Sequence, residues 1–255
     1  MDLGLAGRVA LVCGSTRGIG HAVAKTLAQE GARVVVNGRH EESVQRTASD
    51  LARETGQMVV PAAADVTVPD MAAQLVARVH HELGRLDVLF CNAGGPPAAP
   101  FKDQPADAWQ RALELNLLST IHLARAAVPI MRKAQWGRII CLTSLAAKQP
   151  LPGLILSTTA RAAVLGFAKS LADELAPDGI TVNCVCPGFI ATERVAELTQ
   201  SKPDAMKQAL AQIPMGRIGS PSELAAAVAF LASERASYIT GAVLQVDGGF
   251  IRSIF

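Results

Sequence analysis

Short apolar runs alternate with longer amphipathic stretches along the whole chain. The apolar runs predict seven buried β-strands, at residues 8–13, 33–37, 58–63, 86–91, 138–143, 181–186 and 243–246. These runs lack alternating polar positions, which is typical of strands in a parallel sheet that is covered on both faces.

Between the strands, apolar residues recur at helical spacing. They predict helices at residues 18–30, 41–55, 69–83, 105–134, 156–176 and 221–233. Strands and helices in this order predict an α/β fold, a single Rossmann-type doubly wound parallel sheet of seven strands with helices on both faces. Because we find no linker or internal repeat, we predict one domain over residues 1–255. The stretch 189–214 is expected to be irregular and to form a substrate lid at the carboxyl edge of the sheet.

Composition narrows the class of protein. Of the 255 residues, 50% are hydrophobic and 18% are charged, which allows a large core. The 24 basic residues nearly balance the 22 acidic ones without forming a basic stripe, so we expect no nucleic-acid partner. No apolar run is long enough to span a membrane, and the first residues lack the layout of a signal peptide, so a cytoplasmic location is predicted.

The five cysteines follow neither a zinc-site nor a redox-motif spacing and are expected to be reduced core thiols, and no metal site is predicted.

The first predicted strand is followed by a glycine-rich turn that opens a helix. It contains Gly14, Gly18 and Gly20, with Ser15, Arg17 and Ile19 between them. Glycines allow the backbone to approach a pyrophosphate, whose charge is stabilised by the N-terminus of the helix. The turn therefore predicts a dinucleotide site; the alternative is a tight strand–helix turn without a ligand.

Other strand ends add to this prediction. Asp65, followed by Val66, comes after the third strand and is expected to accept a hydrogen bond from an adenine amino group. Asn92, Ala93 and Gly94 follow the fourth strand with the small residues that a backbone packed against a nucleotide requires.

The charges predict which nicotinamide nucleotide binds. A site that prefers NAD(H) has an acidic residue at the end of the second strand. Here Gly38 and Arg39 stand at that place, and Arg17 projects from the glycine turn. Guanidinium groups suit a 2′-phosphate, so NADP(H) is predicted in preference to NAD(H). Each arginine taken singly is also compatible with a solvated surface position.

The order and spacing of these motifs resemble the short-chain dehydrogenase/reductase family, and in particular its β-ketoacyl carrier-protein reductase branch. The resemblance covers essentially the whole chain. It implies a nicotinamide cofactor, a small-molecule or acyl-thioester substrate and a homo-oligomer, either tetramer or dimer. It also implies further cofactor contacts after the sixth strand. The remaining positions that carry it, or are implied by it, are Asn116, Ser144, Pro187, Gly188, Ile190, Thr192 and the closing run from Val246 to Gly249.

In the family, catalysis uses an asparagine, a serine, a tyrosine and a lysine. By this resemblance Asn116 and Ser144 are retained, whereas Ser157 stands in the tyrosine position and Arg161 in the lysine position. Arg161 keeps a positive charge and is expected to donate hydrogen bonds to ribose hydroxyls, but it does not release a proton. Ser157 is shorter and far less acidic than tyrosine.

No other side chain is expected to take the place of the tyrosine as proton donor. Tyr238, the only tyrosine, is expected to be structural, and Lys148 to be an exposed loop residue. A water held by Ser157, Ser144 and Asn116 is the preferred donor. Ser144 has the alternative role of a cap for the following segment. An apolar substrate pocket is expected beside the cofactor, lined by Leu145, Pro150, Leu151, Pro152, Phe189 and Ile190.

Three hypotheses for the function follow. The first is an atypical NADP(H)-dependent oxidoreductase that acts on a carbonyl or an alcohol. The second is a nucleotide-binding pseudoenzyme, and the third is a non-redox activity such as dehydration or isomerisation. An apolar helix around residues 113–131 is compatible with subunit contacts or with burial inside its own subunit.

Overall fold

The fold is built on a parallel sheet of seven strands. The computed structural model describes residues 1–193, 195 and 203–254. In this part of the chain the strands are β1 Val9–Val12, β2 Arg33–Gly38, β3 Val59–Ala63, β4 Val88–Cys91, β5 Gly137–Leu142, β6 Ile180–Pro187 and β7 Val243–Val246. Their order in the sheet is β3-β2-β1-β4-β5-β6-β7, and every neighbouring pair is parallel. The order reverses between β1 and β4, which opens a crevice at their carboxyl ends.

Helices cover both faces of the sheet. They are α1 Gly18–Gln29, α2 Glu41–Thr55, α3 Pro69–Leu83, α4 Ala106–Leu113, α5 Ser119–Ala134, α6 Ile155–Leu175, α7 Pro203–Gln212 and α8 Pro221–Ala232. One apolar core lies between the sheet and α3, α5 and α6, and a second lies between the sheet and α1, α2 and α8. The predicted α/β fold with helices on both faces is confirmed.

The boundaries of the predicted strands agree with the structure to within two residues. The stretch 189–214 was expected to be irregular, and this is wrong for Pro203–Gln212, which forms α7. The sequence of α7 begins with proline and continues with strong helix formers, which is a helix signal. Residues 194 and 196–202 of the same stretch lie outside the described residues.

The helix predicted over 105–134 is interrupted by a change of geometry. A π-helical turn, Glu114–Leu118, joins α4 to α5, so the helical path continues with one wider turn. Asn116 lies in the middle of this turn. Wide turns of this kind re-aim a side chain within a helix and occur frequently at functional sites.

The cysteines lie inside the core, as predicted. All five are free and buried, and Cys91, Cys141 and Cys184 stand directly opposite one another on three neighbouring strands. Burial raises the pKa of the Cys13 thiol to about 12. Thiols in such an environment are unreactive, because the thiolate is the nucleophilic form.

Candidate active site

The glycine turn is packed so closely that larger residues do not fit in it. A Cβ atom at Gly20 would lie 2.1 Å from the carbonyl oxygen of Gly14, and one at Gly14 would lie 2.7 Å from the carbonyl oxygen of Asn92. Gly14 and Gly18 also have φ angles of +58°, in the left-handed region that favours glycine. The turn is thus held tightly between the end of β1 and the end of β4.

Asn92 joins the glycine turn to the end of β4. Its side-chain Nδ2 donates to the carbonyl oxygen of Gly14 at 3.1 Å, and its Oδ1 accepts from the backbone N–H of Gly94 at 3.3 Å. Gly94 has a φ angle of +88°, and a Cβ atom there would meet nothing within 4 Å. Open space therefore lies above Gly94, beside the turn, where a nucleotide has room.

Ser15 braces the turn from inside. Its hydroxyl donates to the carbonyl oxygen of Val12 at 2.7 Å and accepts from the backbone N–H of Asn37 at 2.9 Å. The side chain is fully buried. The hydroxyl of Ser15 is therefore engaged within the protein, and a cofactor contact of Ser15 stays a prediction.

The end of β3 offers an acceptor as the sequence predicts. One carboxylate oxygen of Asp65, Oδ1, accepts from the backbone N–H and the hydroxyl of Thr67 at 3.0 and 2.7 Å. The second oxygen, Oδ2, has no hydrogen-bond partner among the described residues. Val66 is buried next to it. Asp65 is thus oriented by Thr67 and keeps one oxygen for a ligand.

The two arginines of the predicted 2′-phosphate site differ in their surroundings. Arg39 is exposed and has no ion pair or hydrogen bond to another described residue. Arg17 is also exposed, and its guanidinium contacts Glu193 at 3.1 Å. A Cβ atom at Gly18 would lie 3.5 Å from Cγ2 of Thr192, so the first residues of the predicted lid pass beside the glycine turn.

Asn116 and Arg161 meet at one backbone oxygen. Nδ2 of Asn116 donates to the carbonyl oxygen of Gly94 at 3.0 Å, and a terminal nitrogen of Arg161 donates to the same oxygen. Ser157 lies one turn before Arg161 on α6, on the same helical face, and both are 8% exposed. The structure therefore brings Asn116 and Arg161 together at the end of β4, with Ser157 one helical turn from Arg161.

Arg161 makes contacts that the sequence did not predict. Besides Gly94, it donates to the carbonyl oxygens of Leu142 at 3.0 Å and Thr143 at 2.6 Å. The planar fork of the guanidinium group thus connects the ends of β4 and β5, which a lysine amine does less well. A contact of Arg161 with a ribose remains a prediction.

Ser144 and Asn116 complete the polar part of the site. Ser144 follows β5, and its hydroxyl accepts from the backbone N–H of Ala146 at 3.1 Å, so the capping role considered for it is present. Oδ1 of Asn116 is buried without a hydrogen-bond partner among the described residues. A buried acceptor in this state is costly, about 1–3 kcal/mol, and is usually satisfied by a water or a ligand.

The apolar wall beside these residues contains more of the chain than the sequence predicted. The predicted residues Leu145, Leu151 and Phe189 are in it. Ile190 packs mainly in the core with α8, and it also lines a cavity together with Phe189. The structure adds residues from α7 and the position after it, and from the C-terminal segment, which sequence spacing alone does not place at the site. The added residues are Leu210, Ile213, Phe250 and Ile251.

Several other predicted residues are also located by the structure. Pro187 ends β6, and a Cβ atom at Gly188 would lie 2.6 Å from Cα of Asp247, so glycine is required there. Tyr238 is fully exposed and precedes β7, where the strands begin, whereas the candidate site lies where the strands end, so Tyr238 does not pack in the core. Lys148 is half-buried, which corrects its predicted exposure.

The family of the chain follows from comparison with known proteins. A family model described as enoyl-(acyl carrier protein) reductase matches residues 14–251. The chain is 36% identical over 249 residues to the 3-oxoacyl-(acyl-carrier-protein) reductase FabG of Aquifex aeolicus, covering 98% of this chain and 99% of that protein. It is 39% identical over 244 residues to the corresponding reductase of Escherichia coli, covering 95% and 97%.

The chain belongs to the short-chain dehydrogenase/reductase family. It is an oxidoreductase of this family.

Solved structures of the family agree with this assignment. L-sorbose reductase from Gluconobacter frateurii, solved with NADPH and L-sorbose, has a TM-score of 0.93 and 36% identity, with both chains covered completely. YwfH, an NADPH-dependent reductase involved in bacilysin biosynthesis, has a TM-score of 0.93 and 33% identity over 98% of this chain and all of that chain.

Within residues 1–193, 195 and 203–254, no helix is both long enough and apolar enough to cross a membrane. The same residues contain no group of three or more histidine, cysteine or acidic side chains arranged to hold a metal ion.

Proposed function

We propose that the protein is an atypical NADP(H)-dependent short-chain oxidoreductase that interconverts a carbonyl compound and its alcohol without a tyrosine as proton donor. The observation that carries this proposal is that Asn116 and Arg161 meet at the carbonyl oxygen of Gly94, beside the glycine turn and below open space. Ser157 lies one turn before Arg161 on the same face of α6. NADPH, when bound there, supplies a hydride to the carbonyl carbon. The relatives named above that use NADPH support this choice of chemistry.

The substrate oxygen needs a proton when the carbon receives the hydride. Arg161 does not release one at neutral pH. We assign this step to a water held by the hydroxyls of Ser144 and Ser157 and by Oδ1 of Asn116, the buried acceptor without a protein partner. The hydroxide that remains takes up a proton from solvent. The carbonyl oxygens that Arg161 binds keep its guanidinium beside this water, where its positive charge favours the developing alkoxide.

One assay separates this proposal from the pseudoenzyme and non-redox alternatives. The purified protein is incubated with NADPH and a panel of ketoacyl thioesters, quinones and ketones, and the absorbance of NADPH is followed. We expect turnover of at least one class. Binding of NADPH without oxidation across the panel would support a pseudoenzyme or a non-redox activity, and absence of NADPH binding would refute the cofactor assignment.

The preference for NADP(H) depends in this proposal on Arg39 and on the absence of an acid at Gly38. We expect Arg39→Gln to weaken NADPH binding about tenfold and to leave NADH binding unchanged, because only NADPH has the 2′-phosphate that the guanidinium contacts. Dissociation constants are measured by NADPH and NADH fluorescence. Arg46→Gln is the control, because Arg46 is also exposed and contacts only Glu42 on its own helix. Equal losses for both nucleotides would contradict the assignment of Arg39.

A further inference from the structure

The two arginines predicted to bind the 2′-phosphate start from backbone segments that touch each other. A Cβ atom at Gly38 would lie 2.8 Å from Cγ2 of Thr16, so the glycine turn packs against the end of β2. Arg17 follows Thr16 in the chain, and Arg39 follows Gly38. The two side chains therefore start next to each other, on the side of the turn where β2 ends.

The segment after β6 approaches the same turn from the other side, because β2 and β6 lie on opposite sides of β1 in the sheet. The segment is anchored at Gly219, whose carbonyl oxygen accepts from the N–H of Ala191 at 2.8 Å and whose N–H donates to the carbonyl oxygen of Phe189 at 2.9 Å. A Cβ atom at Gly18 would lie 3.5 Å from Cγ2 of Thr192. The anchored segment therefore brings residue 193 to the start of α1.

Arg17 connects the glycine turn to this segment. Its Nη1 donates to Oε2 of Glu193 at 3.1 Å, and Glu193 is its only ion-pair partner among the residues that the structure describes. The two side chains are 77% and 68% exposed. The hydroxyl of Thr192 accepts from the backbone N–H of Val195 at 3.4 Å, a local bond that holds the backbone at Glu193 in a turn. Arg17 thus lies between the predicted phosphate site and a carboxylate of the chain.

We infer that Glu193 sets the cofactor selectivity, because its carboxylate competes with the 2′-phosphate of NADP(H) for the guanidinium of Arg17. The inference rests on the proposed function, since it requires a phosphorylated nicotinamide nucleotide. Two anions at one guanidinium repel each other, so the pairing with Glu193 reduces the favourable contribution of Arg17 to phosphate binding. NAD(H) has a hydroxyl in place of the phosphate and makes no such demand on Arg17. Glu193 therefore narrows the preference for NADP(H) that Arg17 and Arg39 create.

The test is a double-variant cycle on nucleotide binding. Dissociation constants for NADPH and NADH are measured by nucleotide fluorescence at low ionic strength, where surface charges are least screened. We expect Glu193→Gln to bind NADPH about two- to fivefold more tightly than the wild type and to bind NADH equally well, because exposed ion pairs are weak. Arg17→Gln should weaken NADPH binding, and adding Glu193→Gln to it should bring no gain, because the shared partner is gone.

Glu82→Gln is the matched control. Glu82 also pairs with one arginine, Arg78, at 2.8 Å, but this pair lies on α3. The substitution removes a carboxylate from an ion pair of the same kind and should change neither dissociation constant. A gain in NADPH affinity as large as that of Glu193→Gln would mean that any loss of negative charge has this effect, and would overturn the inference.

The remaining outcomes also decide the inference. Unchanged or weaker NADPH binding by Glu193→Gln, or an equal gain for NADH, would overturn it. A gain that persists in the Arg17→Gln background would show that Glu193 repels the phosphate directly, and the competition for Arg17 would be refuted. The proposed oxidoreductase activity fails separately, if NADPH binds with the expected pattern but is not oxidised with any substrate of the panel. If no variant binds NADPH, the cofactor assignment and this inference are both refuted.

Discussion

The double variant Ser157→Tyr/Arg161→Lys should reduce ketones and ketoacyl thioesters at least 100-fold faster than the wild type. A positioned general acid contributes about 10²–10⁴-fold to such a reaction, and this variant restores the family's tyrosine and lysine on the face of α6 that already lies beside Asn116. The gain should appear in kcat rather than in NADPH affinity, because the glycine turn is untouched. Steady-state kinetics and NADPH fluorescence measure the two quantities.

Two related variants separate the effect of the tyrosine hydroxyl from the effect of the ring that carries it. Ser157→Phe/Arg161→Lys supplies the same ring without the hydroxyl and should show no gain. Ser157→Tyr alone should show a smaller one, because Arg161 keeps its bonds to the backbone of β4 and β5 and does not take the place of the lysine amine. If the full double variant folds, binds NADPH and is no faster than the wild type, the pocket has diverged beyond these two positions and the proton assignment is wrong.

Gly20→Ala should abolish measurable NADPH binding and destabilise the protein by about 3 kcal/mol or more. The added Cβ would lie 2.1 Å from the carbonyl oxygen of Gly14 and 2.9 Å from Cα of Ser15, and both are backbone atoms that do not rotate away. The turn must open to relieve this overpacking, which destabilises the fold. Opening also distorts the backbone geometry that receives the pyrophosphate. Thermal unfolding and NADPH fluorescence measure the two effects.

Gly166→Ala is the matched control for this variant. Gly166 lies within α6, and a Cβ atom there would meet nothing within 4 Å. We expect normal NADPH binding and a gain in stability of up to about 1 kcal/mol, because alanine is the better helix former. Wild-type NADPH affinity in Gly20→Ala would show that the glycine turn does not hold the cofactor.

The order of strands and helices was predictable because it is encoded locally. The apolar runs of β1 to β7 and the helical periodicity between them follow from burial on two faces, and the glycine turn follows from the backbone angles that only glycine adopts readily. The same local reasoning missed α7, whose helix signal lies in a segment expected to be a lid.

From the sequence, the candidate site was predictable as a list of residues but not as an arrangement of those residues in space. Motif spacing identified Asn116, Ser144, Ser157 and Arg161, and the structure places Asn116 and Arg161 at one carbonyl oxygen. The sequence did not predict the π-helical turn that carries Asn116, because its wider geometry depends on the packing of α4 and α5. The sequence also did not predict that the hydroxyl of Ser15 is hydrogen-bonded within the protein, to the carbonyl oxygen of Val12.

What the sequence determined by itself is the kind of fold and the family; that Ser157 and Arg161 stand in the place of a tyrosine and a lysine stays a prediction. Only the tertiary structure decided where the replacing groups direct their hydrogen bonds. Arg161 binds carbonyl oxygens at the ends of two strands that lie about 20 and 70 residues away in the chain, and Leu145 packs in one apolar cluster with Phe250 and Ile251 of the C-terminal segment. Such contacts depend on distances between strands and loops that folding sets, and no spacing along the chain specifies them.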